Sequence, residues 1–133
     1  IVRGGGARHP KNIEDSSYGL LEMSGSDIFL FTLSSIPACI NMLLDKSNVR
    51  IEDIDLFVFH QASKLVIDNI TRRLDLPEEK VFRNYQDIGN TVSASIPIAL
   101  KDAEDKKVLK RGYKVMLTGF GVGFSWGSCL LEW

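Results

Sequence analysis

The chain has 133 residues, 44% hydrophobic and 25% charged, the balance of a soluble globular domain long enough to bury a core. Its 16 basic and 17 acidic residues leave a net charge of -1, which argues against bulk attraction to nucleic acid or an anionic membrane. No apolar run approaches the ~20 residues of a membrane span, no signal-peptide pattern opens the chain, and Cys39 and Cys129 stand far apart with no metal-ligand spacing; a cytoplasmic protein with reduced, buried thiols and no metal is expected.

Residues 1–23 carry Gly4, Gly5 and Gly6 and a polar run to Ser17. They read as a linking loop, with a short strand at 18–23. The chain starts without Met and reads as cut from something longer. Residues 24–133 read as one domain. Ser26 is the expected cap of a helix carrying Ile28, Phe29, Leu33, Ile36, Ile40 and Leu43 at helical spacing. Pro37 should kink or divide it, with Ser35 capping the second piece. Residues 55–60 are almost wholly apolar, the mark of a strand covered on both faces. A helix follows, with Val66, Ile70 and Leu74 as its inner stripe, and Pro77 stops it. Val81 and Phe82 make a short strand. Residues 90–105 read as a helix capped by Thr91 or Ser93 and bent at Pro97. Residues 113–118 form a strand, 119–123 a glycine turn, and 124–133 a returning strand. This order defines an α/β layer with a mixed sheet and an antiparallel edge.

Two polar interruptions stand at the ends of apolar stretches. His60 follows a buried strand and precedes a helix N-terminus, where the dipole disfavours imidazolium. It is either a structural strand-end histidine or a neutral donor in a site. Asn90, after Gly89, is either a helix cap or turn residue or a second donor. A His and an Asn converging at the strand ends would hold a carbonyl oxygen as negative charge grows on it. The small residues Thr91, Ser93, Ala94 and Ser95 let a helix approach closely, at a site wall or in a plain core. The glycine loop has no following Lys and no following helix, so it is not a phosphate cradle; it is a hairpin turn or a backbone N–H offered to an oxyanion. Lys64, Arg72 and Arg73 form a wet helix face or a dock for an acidic partner.

Three linked segments carry a resemblance: His60-Gln61-Ala62; Gly89-Asn90-Thr91 with residues 94–100; and Gly121-Val122-Gly123-Phe124-Ser125-Trp126-Gly127. Over about residues 20–133 the chain resembles the C-terminal half of the β-ketoacyl-acyl carrier protein synthase III family of the thiolase superfamily. The resemblance implies a thiolase-like half, a mixed five-stranded sheet flanked by helices, in a protein that dimerises. It implies decarboxylative Claisen condensation of acyl-CoA with malonyl-acyl carrier protein in fatty acid biosynthesis, without a cofactor. His60 and Asn90 match the enolate-stabilising pair, and the nucleophilic Cys belongs to the other half. Gly121 and Val122 match the oxyanion loop, where the family more usually has Gly at the second position. Arg72 and Arg73, with Lys64, fall where the family meets its acidic carrier. Ser63-Lys64-Leu65 departs from the family's more usual Asn-Leu-Arg. A related acyltransferase of specialised metabolism and a non-catalytic partner subunit share much of this pattern.

Overall fold

The computed structural model describes residues 23–133. The loop expected over residues 1–22, with His9, the triple glycine and most of the expected strand at 18–23, lies outside them. Ser24, not Ser26, caps the first helix, accepting the Asp27 N–H at 3.4 Å. That helix, α1 (Gly25–Ser47), runs unbroken through Pro37 and ends at Asn48 in the left-handed region. Pro37 removes one intrahelical bond, yet it does not divide the helix. It is buried with Thr32, Ile36, Ile40 and Leu44 on the inner face, where packing holds the turn.

Strand β1 (Leu56–Phe59) is buried at all four positions. Helix α2 (Lys64–Arg73) follows, capped by Ser63 and burying Val66, Ile67, Ile70 and Thr71, with Leu74 half-buried beyond it. A short helix that periodicity did not reveal, α3 (Tyr85–Ile88), precedes Gly89. Helix α4 (Ser95–Asp105) begins five residues later than Asn90, after a single 3-10 turn over Val92–Ala94. Neither Thr91 nor Ser93 caps it, and Pro97 sits in its first turn, where proline is tolerated. Strands β2 (Lys114–Gly121) and β3 (Ser125–Glu132) form a hairpin closed by the tight turn at 122–124. The expected glycine turn is therefore shorter, because β2 continues through Gly119 and Gly121.

Among the described residues the sheet has three strands in the order β1-β2-β3, with β1 parallel to β2 and β2 antiparallel to β3. It is mixed with an antiparallel edge, as expected, and the described residues show three strands where five were expected. The Val81 segment contributes one parallel bridge to Phe57 rather than a strand, because the 3-10 turn Glu78–Lys80 leads straight into it.

Strand alternation sorts the core into two layers. Phe57, Phe59 and Met116 face α1 and α2, packing on Ile36, Ile40, Ile67 and Ile70. Leu56, Val58 and Val115 face α4, packing on Ala99 and Ala103. The result is helix, sheet, helix in three layers. Two sequence expectations are corrected here. Cys129 is exposed on the edge strand β3, and Cys39 is half-buried on α1, beside Ser128. Helix α1 is also long and apolar enough to cross a membrane, with a mean hydropathy of 1.6 over its best window. Its inner face nonetheless packs on the sheet through Ile36 and Ile40.

Candidate active site

Parallel strands β1 and β2 end side by side, and ligands in α/β folds collect at that edge. His60 leaves β1 there, its backbone N–H donating to the Thr118 carbonyl at 2.9 Å. The last residues of β2, Gly119 to Gly121, stand next to it. The turn that begins α4 supplies another wall, and the start of α1 supplies Met23 and Ile28. Together they enclose an open pocket of about 570 Å³. His60, Asn90, Gly121 and Val122 all line it, with Phe120, Ile96, Ser93 and Trp126. No charged side chain is among its described lining residues.

His60 is half-buried, and burial lowers its pKa below the ordinary histidine value. The cause is desolvation, which disfavours the imidazolium. Its Nδ1 lies 2.6 Å from the Ser95 hydroxyl. With Nδ1 engaged, Nε2 is the nitrogen left for a ligand. The Phe120 ring stands edge-on to the imidazole, with centroids 5.3 Å apart.

The next residue, Gln61, is wholly buried. Its Nε2 donates to the carbonyls of Phe59 at 2.9 Å and Phe82 at 3.4 Å, and its Oε1 accepts the Asn84 N–H at 3.0 Å. Asn84 in turn donates to Asp102 on α4 at 2.7 Å. Gln61 thus ties the end of β1 to the segment that leads into the Asn90 turn.

Asn90 enters the pocket from a strained turn. Its side-chain carbonyl accepts the Val92 N–H at 2.9 Å, a local bond that competes with helix formation. Val92 itself has a φ of 54°, rare for a β-branched residue. With Oδ1 used inside the turn, the Asn90 carboxamide has its NH2 left to donate. Gly89, just before it, has φ 66° and ψ -162°, a region essentially restricted to glycine.

The other predicted residues lie elsewhere. Lys64 pairs with Asp68 one turn along α2. Arg72 donates to the Asn69 side chain at 2.8 Å, and both Arg72 and Arg73 are exposed on the last turn. The pocket meets α2 at Val66, so these arginines sit roughly 9 Å further along the axis. Neither cysteine lines the pocket: Cys39 Sγ is 3.4 Å from the Ser128 hydroxyl, and Cys129 faces outward. No cluster of three or more His, Cys, Asp or Glu suited to a metal occurs among the described residues. Sequence reasoning missed three parts of the site. Ser95 stood out only as a small residue, Phe120 only as part of a glycine turn, and the reach of α1 into the pocket had no local signal.

The mixed sheet thus lies between helix layers, with His60 at a parallel strand end and Asn90 on the turn that leads to α4. A solved 3-oxoacyl-(acyl-carrier-protein) synthase III superposes on the whole chain with a TM-score of 0.92 at 35% identity, over 43% of its own length. The synthase III of Thermus thermophilus superposes on 96% of the chain with a TM-score of 0.85 at 36% identity, over 40% of its length. In sequence, the β-ketoacyl-acyl-carrier-protein synthase III of Natranaerobius thermophilus is 40% identical over 97% of the chain and 40% of its own length. The chloroplastic enzyme of Arabidopsis thaliana is 37% identical over 90% of the chain and 30% of its length. Residues 44–133 match the family described as 3-oxoacyl-acyl-carrier-protein (ACP) synthase III C terminal, and the chain belongs to that family. It spans well under half the length of these relatives.

Proposed function

We propose that this chain is the C-terminal catalytic domain of a 3-oxoacyl-acyl carrier protein synthase III that condenses acyl-CoA with malonyl-acyl carrier protein in fatty acid biosynthesis. The observation that carries the reading is that His60 and Asn90 line one pocket with no charged side chain among its described lining, with His60 Nε2 and the Asn90 NH2 unengaged among the described residues. The nucleophilic Cys comes from the part of the protein that precedes this chain, with residues 1–23 as the link. Its thiolate displaces CoA and holds the acyl group as a thioester. The malonyl thioester then enters the pocket. Its terminal C–C bond breaks, carbon dioxide leaves, and the electron pair moves onto the thioester oxygen as an enolate. His60 and Asn90 donate to that oxygen. The enolate carbon attacks the acyl thioester, whose oxyanion faces the Val122 N–H beside Gly121. The Cys thiolate departs, leaving a 3-oxoacyl chain on the carrier.

Neutral donors suit this step because an acidic partner would protonate the carbanion before it attacks. The lowered pKa of His60 and the absence of charged side chains among the described lining residues support that requirement. Arg72 and Arg73, with Lys64, meet the acidic carrier protein. The complete protein works as a homodimer in the cytoplasm, a compartment in keeping with the free thiols of Cys39 and Cys129 in this chain. In the complete protein, His60→Ala and Asn90→Ala should each slow malonyl decarboxylation by about a hundred- to a thousandfold while acyl loading of the Cys continues. Decarboxylation at the native rate by either variant would sink the reading.

A further inference from the structure

We propose that Ser95 is a positioning residue that fixes His60 as the Nε2–H tautomer, so that the ring presents a donor rather than a base to the pocket. The inference rests on the assignment of His60 as a pocket donor.

The two neutral tautomers of His60 have opposite chemistry. With the proton on Nε2, the ring donates to an oxygen in the pocket. With the proton on Nδ1, Nε2 presents a lone pair, which would repel an enolate oxygen and accept a proton instead. The choice lies in the hydrogen bond at the other nitrogen. Here that partner is the Ser95 hydroxyl, 2.6 Å from Nδ1. A hydroxyl can donate or accept, so distance alone leaves the direction open.

The surroundings of Ser95 decide it. Its side chain is almost wholly buried, at 1% exposure. The Gln61 backbone N–H already donates to its oxygen, at 3.3 Å. Among the described residues no acceptor other than His60 Nδ1 lies within hydrogen-bond reach of the hydroxyl proton. If Nδ1 carried the proton, the serine O–H would be buried with no acceptor, which native structures avoid. With Ser95 donating, every group is satisfied: Gln61 N–H to Ser95 Oγ, and Ser95 O–H to His60 Nδ1. Gln61 makes the arrangement rigid, because its own side chain is anchored to Phe59, Phe82 and Asn84. Ser95 is also the first residue of α4, so the sheet packing of Ala99 and Ala103 sets its position.

The test reads the ring directly. In the complete protein carrying isotope-labelled histidine, long-range nitrogen–proton NMR correlations report each tautomer, and His60→Gln identifies the His60 signals. The expected spectrum is the Nε2–H form, shifting toward the Nδ1–H form in Ser95→Ala. Malonyl decarboxylation by Ser95→Ala is expected to fall about tenfold with acyl loading unchanged. A wild-type spectrum showing the Nδ1–H form overturns the inference with no variant needed, and so does an unchanged tautomer in Ser95→Ala. Full decarboxylation by His60→Ala would sink the catalytic reading instead, and the spectra would still settle what Ser95 does.

Discussion

At the scale of single residues, the pocket depends on one backbone position and one proton. Gly89 occupies a conformation that L side chains avoid, and open space surrounds the place where a Cβ would stand. The obstacle to substitution is therefore backbone strain alone, of order 1–3 kcal/mol. Gly89→Ala should lower stability by about that amount in urea titration. It should also reduce decarboxylation, because relief of the strain swings Asn90 away. The proton belongs to His60. Burial lowers its pKa below the usual value of about 6.5. Decarboxylation should hold from neutral pH to below that value, and an acid limb above it in a pH–rate profile would contradict the assignment. The same shift acts on stability. The folded protein takes up this proton less readily than the unfolded chain, so the stability linked to His60 falls as pH drops from the unfolded value through the lowered folded one.

At the scale of elements, what periodicity and burial dictate was legible, and what side chains dictate locally was not. The wholly apolar run at Leu56–Phe59 is a strand covered on both faces, and the spacing of Val66 and Ile70 places α2 correctly. The start of α4 was misplaced by five residues, because Val92 sits at φ 54°, in the left-handed region that a right-handed helix cannot run through. Pro37 failed to divide α1 because tertiary packing outweighs one lost hydrogen bond. His60 and Asn90 were visible as polar interruptions, whereas Ser95 was not, since its partner lies 35 residues away. The crowding of small residues at 91–95 was visible, whereas the stripe that Ser95 begins along α4 was not, and that stripe has a testable consequence. Ser95, Ala99 and Ala103 are the buried positions of α4, one turn apart along the face that meets β1 and β2. A larger side chain there must push the helix outward. Ala99→Leu should cost about 1–3 kcal/mol from overpacking, measurable as a lower urea midpoint. Because Ser95 rides on the same helix, the His60 contact should loosen as well, and decarboxylation should fall further than stability predicts. An enzyme with normal decarboxylation and full stability would show that α4 is not held so closely.

At the scale of the whole molecule, the described residues leave much apolar surface uncovered. The inner face of α1 is committed to the sheet, but Leu30 and Met42 on its other faces are 62% and 56% exposed. Near the mouth of the pocket Phe31 packs against Phe124, tilted, and Trp126, edge-on, with ring centroids 5.1 and 5.2 Å apart. Trp126 is still half exposed. Surface of this kind, on one long helix and the adjoining hairpin, marks an interface. The chain spans 40% of the length of its Natranaerobius relative, so the expected cover is the remainder of the complete protein, which would also close the pocket. Two outcomes follow for the 133-residue chain made alone. It should bind no acyl group and catalyse no condensation, lacking the nucleophile. It should also self-associate in analytical ultracentrifugation, and Leu30→Glu with Met42→Glu should reduce that association. The same pair placed in the complete protein should do the opposite and destabilise it, because two carboxylates would be buried without partners. Indifference of the complete protein to the two charges would mean that this face of α1 is open to solvent in the native molecule.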